Sequence, residues 1–116
     1  MNEKMLTIDV SNVDNIKLQM KAAFRGKADA TCRYSFASRA DLLRTLSPNR
    51  WGLIEALTGA GPMAVRELAR RVGRDVKGVH TDAQTLVLCG LIDKTADGGV
   101  EFPYDAVHVD FMLKAA

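Results

Sequence analysis

The sequence predicts an α+β fold that is mainly helical, and three features of the chain predict it. Apolar residues recur at helical spacing through residues 38–89, which form the middle of the chain. Segments 5–10, 31–36, 91–102 and 106–113 alternate or are rich in β-branched and aromatic residues, as strands are. No repeat, low-complexity segment or linker interrupts the 116 residues, so we expect a single domain.

The first 37 residues predict a strand, a helix and a second strand. Residues 5–10 suit a short strand, and Ser11 can cap a helix that continues to about Gly26. Residues 31–36 alternate and predict the second strand. The helix has an apolar stripe that needs a partner surface, formed by Val13, Ile16, Met20, Ala23 and Phe24.

Two capped helices follow. Ser38 begins the first, which ends near Leu46. Ser47 and Pro48 begin the second, because serine caps a helix and proline is tolerated in its first turn. A Gly-Ala-Gly-Pro run at 59–62 ends the second helix. The expected core residues of the two helices are Leu42, Leu43, Leu46, Trp51, Leu53, Ile54 and Leu57.

Residues 62–92 predict two short amphipathic helices joined by a tight turn. Gly73 should end the first helix, as glycine beyond the last turn commonly does. Asp75 can accept the free N–H groups of the second, which begins near Val76. The expected apolar positions are Val65, Leu68, Ala69 and Val72 in the first helix, and Val76, Val79, Ala83, Leu86 and Val87 in the second.

The free faces of this helix pair are basic or able to form hydrogen bonds. The first helix carries Arg66, Arg70 and Arg71, and the second carries Arg74, Lys77, His80, Thr81 and Gln84 at its start and on its free face. Such a pair is a helix-turn-helix, whose second helix suits the major groove of DNA. Gly78 lies inside that helix, where glycine is unfavourable. It indicates that the helix backbone at this position lies close either to the DNA backbone or to other parts of the protein.

A hairpin and a last strand complete the chain. Residues 91–95 and 100–102 predict two strands around an Ala-Asp-Gly-Gly turn at 96–99. A hairpin directly after the DNA-recognition helix of a helix-turn-helix is called a wing. Residues 106–113 predict a further strand or an interface segment, because an exposed apolar tail is a liability in a monomer.

Charge and composition favour a small cytoplasmic binding protein. The net charge is only +2, but residues 39–80 hold eight Lys and Arg against four Asp and Glu, whereas residues 81–116 hold two against six. Positive charge thus concentrates on the helix pair, as a surface that meets phosphate requires, although a basic face can also be merely solvated. With no apolar run of about 18 residues and no secretory signal, we expect no membrane partner.

No catalytic or metal-binding pattern is evident in the sequence. It has no nucleophile elbow, phosphate-binding glycine loop or paired-carboxylate motif, so we expect neither an enzyme nor a cofactor. Cys32, Cys89, His80 and His108 contain no short ligand pair, so no metal site is expected. Both cysteines should be reduced and buried, with redox sensing by Cys89 as the alternative.

The chain resembles the winged helix-turn-helix DNA-binding proteins of archaea and bacteria, which are MarR-like predicted transcriptional regulators. The resemblance spans residues 34–109. It rests on Phe36 with Ser38, Leu53 and Ile54, the run VRELARRVGRDVKGVHTD at 65–82, and Gly-Leu-Ile at 90–92. It implies sequence-specific binding of duplex DNA by a homodimer, with residues 75–89 as the reading helix. We therefore expect residues 38–104 to form the winged core, residues 1–37 an extension and residues 105–116 a C-terminal strand.

Three positions depart from the family pattern. Ala64 stands where serine is usual before the Val-Arg-Glu-Leu run, which leaves Glu67 with half of a capping box. Leu88 stands where relatives have a polar residue, and a contact within the chain or in a dimer would explain it. The predicted wing has Lys94 but also an acidic Asp97, so we do not expect it to enter the minor groove.

We expect a transcriptional repressor that binds a palindromic operator as a homodimer. Two alternatives stay open: an antitoxin that represses its own operon beside a cognate toxin, and a winged-helix module that binds protein and not DNA. The expected DNA contacts are Arg66, Arg70 and Arg74 on the backbone, Lys77, His80, Thr81 and Gln84 on bases or nearby phosphates, and Gly78 and Lys94. The expected dimer contacts are Ile16, Met20, Phe24, Val109 and Phe111, within segments 11–26 and 107–113.

Overall fold

The computed structural model describes residues 4–10 and 32–112 and has an α+β fold, with helices and two small sheets around one core. In chain order its elements are β1 (Met5–Val10), β2 (Cys32–Phe36), α1 (Arg39–Thr45), α2 (Pro48–Leu57), α3 (Val65–Val72), α4 (Val76–Leu88), β3 (Asp93–Lys94), β4 (Val100–Glu101) and β5 (Ala106–Asp110). The predicted helix at residues 11–26, with Ile16, Met20 and Phe24, lies outside the described residues.

Side-chain caps begin α1 and α2 at the predicted serines. Ser38 Oγ accepts a hydrogen bond from the Asp41 N–H at 3.1 Å, and Ser47 Oγ accepts one from the Arg50 N–H at 3.4 Å. Each cap satisfies a backbone donor that has no partner within the helix. The prediction that Leu43 is a core residue was wrong. Leu43 is exposed, because Leu42 is the residue of α1 that faces the core and the next residue lies about 100° further round the helix.

The turn between α3 and α4 has the predicted structure. Gly73 has φ 69° and ψ 35°, a left-handed conformation that glycine adopts without steric cost. The Arg74 N–H returns to the Ala69 carbonyl at 3.0 Å and closes the end of α3. Asp75 then caps α4, because its carboxylate accepts from the Gly78 N–H at 2.8 Å. Three residues thus reverse the chain and fix where α4 begins.

The start of α3 lacks a side-chain cap. Ala64 occupies the N-cap position with φ −68° and ψ 146°, nearly the values of Asp75, −70° and 147°. The backbone at Ala64 is therefore already in the conformation from which a capping side chain reaches the first turn. Only the side-chain oxygen is missing.

We expect Ala64→Ser to raise the free energy of unfolding by about 0.5–2 kcal/mol, because a serine hydroxyl would accept one free N–H of the first turn of α3. Urea denaturation of both proteins measures the change. Asp75→Ala is the matched opposite, since it removes a cap from the same backbone conformation and should cost a similar amount. An unchanged or lower stability of Ala64→Ser would mean that α3 begins elsewhere in solution.

The hairpin after α4 is shorter than predicted. Leu91 and Ile92 were assigned to its first strand, but their N–H groups hydrogen-bond to the Leu86 carbonyl, at 3.0 and 3.4 Å, so they form the turn that closes α4. Both side chains are buried. Strand β3 therefore begins only at Asp93 and pairs antiparallel with β4. Val100 of β4 also forms an antiparallel bridge with Met63.

Strands from the first 36 residues and from residues 106–110 meet in one parallel sheet of strand order β2-β1-β5. Leu6 lies opposite Cys32 on one side and Val107 on the other. The sequence predicted all three strands but treated the N-terminal segment and the C-terminal strand as separate additions. Their pairing joins them, because β1 takes the central position and satisfies its backbone groups on both sides.

The helices and both sheets share a single apolar core. Its fully buried side chains include Leu53, Ile54 and Leu57 of α2, Leu68 of α3, Val79 and Leu86 of α4, and Ile8, Ile92 and Phe102. Most predicted core residues of the helix pair are therefore confirmed. Val76 is the exception: it lies one turn before Val79, where no described element covers it, and it is exposed.

Candidate nucleic-acid interface

One face of α4 is turned fully away from the core. Its side chains follow at helical spacing and all are exposed: Lys77, His80, Thr81, Gln84 and Leu88. Four of the five are able to form hydrogen bonds, and the fifth, Leu88, is 80% exposed. The sequence left two contacts open for Leu88, one within the chain and one in a dimer; the described residues make no burying contact with it, and the dimer contact stays a prediction. This row is called the α4 stripe below.

The basic residues of α3 differ in how free they are. Arg66 is exposed, and no ion pair is found for it among residues 4–10 and 32–112. Arg70 and Arg71 both bind Glu67, with Nε–O distances of 2.9 and 3.1 Å. Hydrogen bonds from these two arginines hold the pKa of Glu67 down at about 2, so this residue is a carboxylate at neutral pH. Their positive charge is partly neutralised.

Asp82 of α4 is held between two arginines from other parts of the chain. Arg50 Nε is 3.2 Å from Asp82 Oδ1, and Arg74 Nη2 is 2.8 Å from Asp82 Oδ2. Arg50 also donates to the carbonyls of Arg44 and Thr45, at 3.3 and 3.4 Å. This group, called the Asp82 clamp below, ties α4 to the start of α2 and to the turn before α4.

The clamp changes the expected role of Arg74. Its guanidinium was expected on the DNA backbone, but the side chain is three-quarters buried and is engaged by Asp82. Nη1 of Arg74 is also buried, without a hydrogen-bond partner among the described residues. Asp82 was not predicted from the sequence, because its partners Arg50 and Arg74 lie 32 and 8 residues away along the chain. The one available signal was an aspartate beside the buried Val79 and Ala83 positions of α4.

The structure also accounts for Gly78. A Cβ atom at this position would lie 3.0 Å from Asp75 Oδ1 and 3.3 Å from Arg74 Nη2. Glycine therefore leaves room for the capping carboxylate of α4 and for the guanidinium of the Asp82 clamp. The sequence left two explanations for Gly78, close approach to the DNA backbone and close packing inside the protein. These contacts support close packing inside the protein.

A groove of about 550 Å³ separates α4 from the hairpin. It brings together three residues that the sequence placed in one site, namely His80 and Gln84 of α4 and Lys94 of β3. Its remaining lining is mostly apolar or glycine, from Val65, Ala83, Val87, Leu88, Gly98, Gly99 and Val100. The groove is thus polar towards the start of α4 and apolar towards its end.

The tip of the hairpin is built tightly. Asp97 accepts hydrogen bonds from the Thr95 hydroxyl and from the Gly99 N–H, and these bonds lower the pKa of Asp97. A Cβ at Gly99 would lie 2.6 Å from the Met63 carbonyl oxygen, so only glycine allows this close approach. Asp97 therefore shapes the turn, and Lys94 is the exposed cation of the hairpin.

Cys89 lies at the end of α4, where it is half-buried. The Tyr34 hydroxyl donates to the Cys89 carbonyl at 2.6 Å and links β2 to this helix end. Burial and the neighbouring Cys89 raise the pKa of Tyr34 to about 12, so the hydroxyl stays protonated and remains a donor. Cys32 and Cys89 are both free thiols and are half-buried, where the sequence predicted buried thiols.

Two of the predicted dimer contacts lie in or next to β5. Val109 in β5 and Phe111 just after it are both exposed.

Within residues 4–10 and 32–112, no three His, Cys, Asp or Glu side chains are grouped so that they could hold a metal ion. No helix in the same ranges is long and apolar enough to span a membrane.

Comparison with known proteins places the chain in a family. No curated protein and no solved structure matches it. Residues 45–109 match the HVO_A0114 family, and this range contains α2, α3, α4, the hairpin and most of β5. Because the match covers more than half of the 116 residues, the chain belongs to the HVO_A0114 family.

Proposed function

We propose that this protein is a sequence-specific transcriptional regulator, most simply a repressor, that binds duplex DNA as a homodimer. The α3–turn–α4 unit with its hairpin would be a winged helix-turn-helix. One observation carries the proposal: the α4 stripe presents a row of exposed hydrogen-bonding side chains, with the exposed cation Lys94 across the groove from them. Arg66 is a further exposed cation, on α3. A helix with such a row fits the major groove.

The contacts divide into two kinds by charge and position. Arg66, Lys77 and Lys94 are exposed cations suited to phosphate. His80, Thr81 and Gln84 can exchange hydrogen bonds with base edges. Arg74 would act indirectly, because the Asp82 clamp holds it against the protein and it fixes the direction of α4.

A second copy would double this surface. Two-fold symmetry would present two α4 helices to one face of the duplex, about one turn or ~34–36 Å apart, and so require a palindromic operator. Whether the protein is a dimer is a separate question, because its oligomeric state can be measured without DNA.

A protein-binding module is the second candidate function. The apolar end of the groove favours it, since Leu88 is almost fully exposed beside Val87 and Val65. An apolar segment of a partner, such as a cognate toxin if the protein is an antitoxin, could cover these residues. The cations around the polar end favour DNA instead.

The deciding experiment titrates the protein into two labelled duplexes, one from the region upstream of its own gene and one of scrambled sequence. Fluorescence anisotropy is recorded at 50 and 200 mM salt. We expect tighter binding to the upstream duplex and weaker binding of both at the higher salt. Absence of binding to either duplex at 50 mM would remove the DNA proposal and favour the protein-binding module.

Gln84 should contribute to sequence preference. Its amide can bond an adenine at two points, and such a contact discriminates against the wrong base by ~1–3 kcal/mol. We therefore expect Gln84→Ala to weaken binding to the upstream duplex much more than binding to the scrambled one. Arg66→Ala is the matched control, since a lost phosphate contact should weaken both duplexes alike. Equal losses for Gln84→Ala would remove its base-reading role.

A further inference from the structure

Strand β5 is an open edge of the parallel sheet. It pairs with β1 on one side, and no strand in the described part of the chain pairs with its other side. Its outer N–H and C=O groups therefore face outwards. Natural edge strands are commonly protected from pairing with other chains by lysine, proline or a bulge. β5 has the sequence Ala-Val-His-Val-Asp and pairs with β1 in an uninterrupted register.

The apolar side of the sheet continues past this edge. Val107 and Val109 lie on the same face as Leu6 and Ile8, which are buried. Val109 is nevertheless 38% exposed and Phe111 43% exposed. A further strand beside β5 would cover both side chains and pair the open backbone groups.

We propose that this further strand is β5 of a second copy, paired antiparallel with a two-fold axis at Val109. This inference rests on the homodimer of the proposed function and deepens it by naming the surface. In this register Val109 faces Val109 of the second copy, and Val107 faces Phe111 of the second copy. These apolar pairs lie on the core side of the sheet and join two three-stranded sheets into one of six strands.

The opposite face of the strand carries complementary polar groups. His108 faces Asp110 of the second copy, and Asp110 faces His108, so the two-fold axis makes the pair twice. A histidine ring N–H can donate to a carboxylate, which favours this cross-strand pair. On the neighbouring strand β1, Thr7 lies beside His108, and Asp9 lies beside Asp110 with its own carboxylate bound by Arg33.

Other registers of the same strand fit less well. An axis at Asp110 sets two carboxylates directly opposite each other, and like charges in that position repel. An axis at His108 sets histidine against histidine and Ala106 against Asp110. The order apolar, His, apolar, Asp, apolar at residues 107–111 matches itself only about its centre, Val109.

Exchange of the two polar side chains tests the register. Sedimentation equilibrium at micromolar concentration should show a dimer for the unmodified protein. His108→Asp alone places carboxylate against carboxylate at both pairs, and we expect the dissociation constant of the dimer to rise at least about tenfold. The double variant His108→Asp/Asp110→His restores opposite partners and should recover most of the dimer. Circular dichroism checks that each variant is folded.

A cross-link tests the same geometry independently of charge. Val109→Cys would place two thiols opposite each other at a Cα separation of ~4.5–5.5 Å, within the range of a disulfide. Met112→Cys is the control, because Met112 is more exposed but lies far from its own copy in this register. We expect diamide to cross-link Val109→Cys rapidly and Met112→Cys slowly, against the background of the unmodified Cys32 and Cys89.

A monomeric unmodified protein would overturn the inference. So would a dimer that His108→Asp leaves intact, or equal cross-linking of the two cysteine variants. A dimer with the expected behaviour that binds no duplex would support this inference while removing the proposed function. Sequence-specific DNA binding by a monomer would overturn this inference together with the homodimer, and would leave only the DNA-binding part of the proposed function standing.

Discussion

Replacing Asp82 by alanine should lower the free energy of unfolding by about 2–4 kcal/mol, because two largely buried guanidinium groups lose their common partner. The side chain of Asp82 is 16% exposed, and those of Arg50 and Arg74 are each about a quarter exposed. Solvent reaches this group only in part, so its charges are screened less than those of a surface pair. The shift of the urea midpoint at constant slope measures the loss.

Asp41→Ala provides the control for the Asp82 prediction. Asp41 pairs with Arg44 at 3.5 Å on the exposed side of α1, where both side chains are well solvated. An exposed pair of this kind contributes at most about 1 kcal/mol. If Asp82→Ala cost no more than this control, the clamp would be no stronger than a surface ion pair. The direction of α4 would then depend on apolar packing alone.

Raising the salt concentration from 50 to 200 mM should weaken binding to the upstream duplex about 10³-fold, if the proposed dimer neutralises phosphates with Arg66, Lys77 and Lys94 of each copy. Six such contacts give a slope of log affinity against log salt of about −5. Arg66→Gln would remove two contacts per dimer and reduce the steepness of that slope by about 2. Anisotropy titrations at four salt concentrations give the slope.

Arg74→Gln separates the clamp from the phosphate contacts. Because Arg74 is bound by Asp82, its replacement should leave the salt slope unchanged even though it destabilises the fold. Measurements at low temperature, where the variant remains folded, keep the two effects apart. A slope reduced as much as that of Arg66→Gln would mean that Arg74 leaves Asp82 to bind phosphate.

Much of the helix pair was predictable because the signals are local. Gly73 ends α3 and Asp75 caps α4 through contacts within a few residues, and the buried positions Val79, Ala83 and Leu86 follow the helical period. The prediction failed at helix ends. Val76 and Leu43 fit the apolar stripes but are exposed. The helical period shows which residues share a face, but it does not show whether another element covers that face at a given residue.

The candidate site was predictable only in outline. His80, Gln84 and Lys94 were expected to act together, and they line one groove. By contrast, Arg66, Arg70 and Arg74 looked equivalent as basic residues near one helix pair. Their ion pairs differ. Arg70 pairs with Glu67, one turn away on the same helix. Arg74 pairs with Asp82 of α4, which also binds Arg50 of α2.

The caps, the turn and the alternation of the strands follow from local sequence, since they depend on hydrogen bonds and side-chain directions within a few residues. The pairing of Met5 with Ala106 in one parallel sheet, and of Asp82 with both Arg50 and Arg74, depends instead on the folded chain. Such pairings depend on which distant segments the shared core brings together. No periodicity in either segment records its partner, and for that reason the open edge of β5 became visible only in the folded chain.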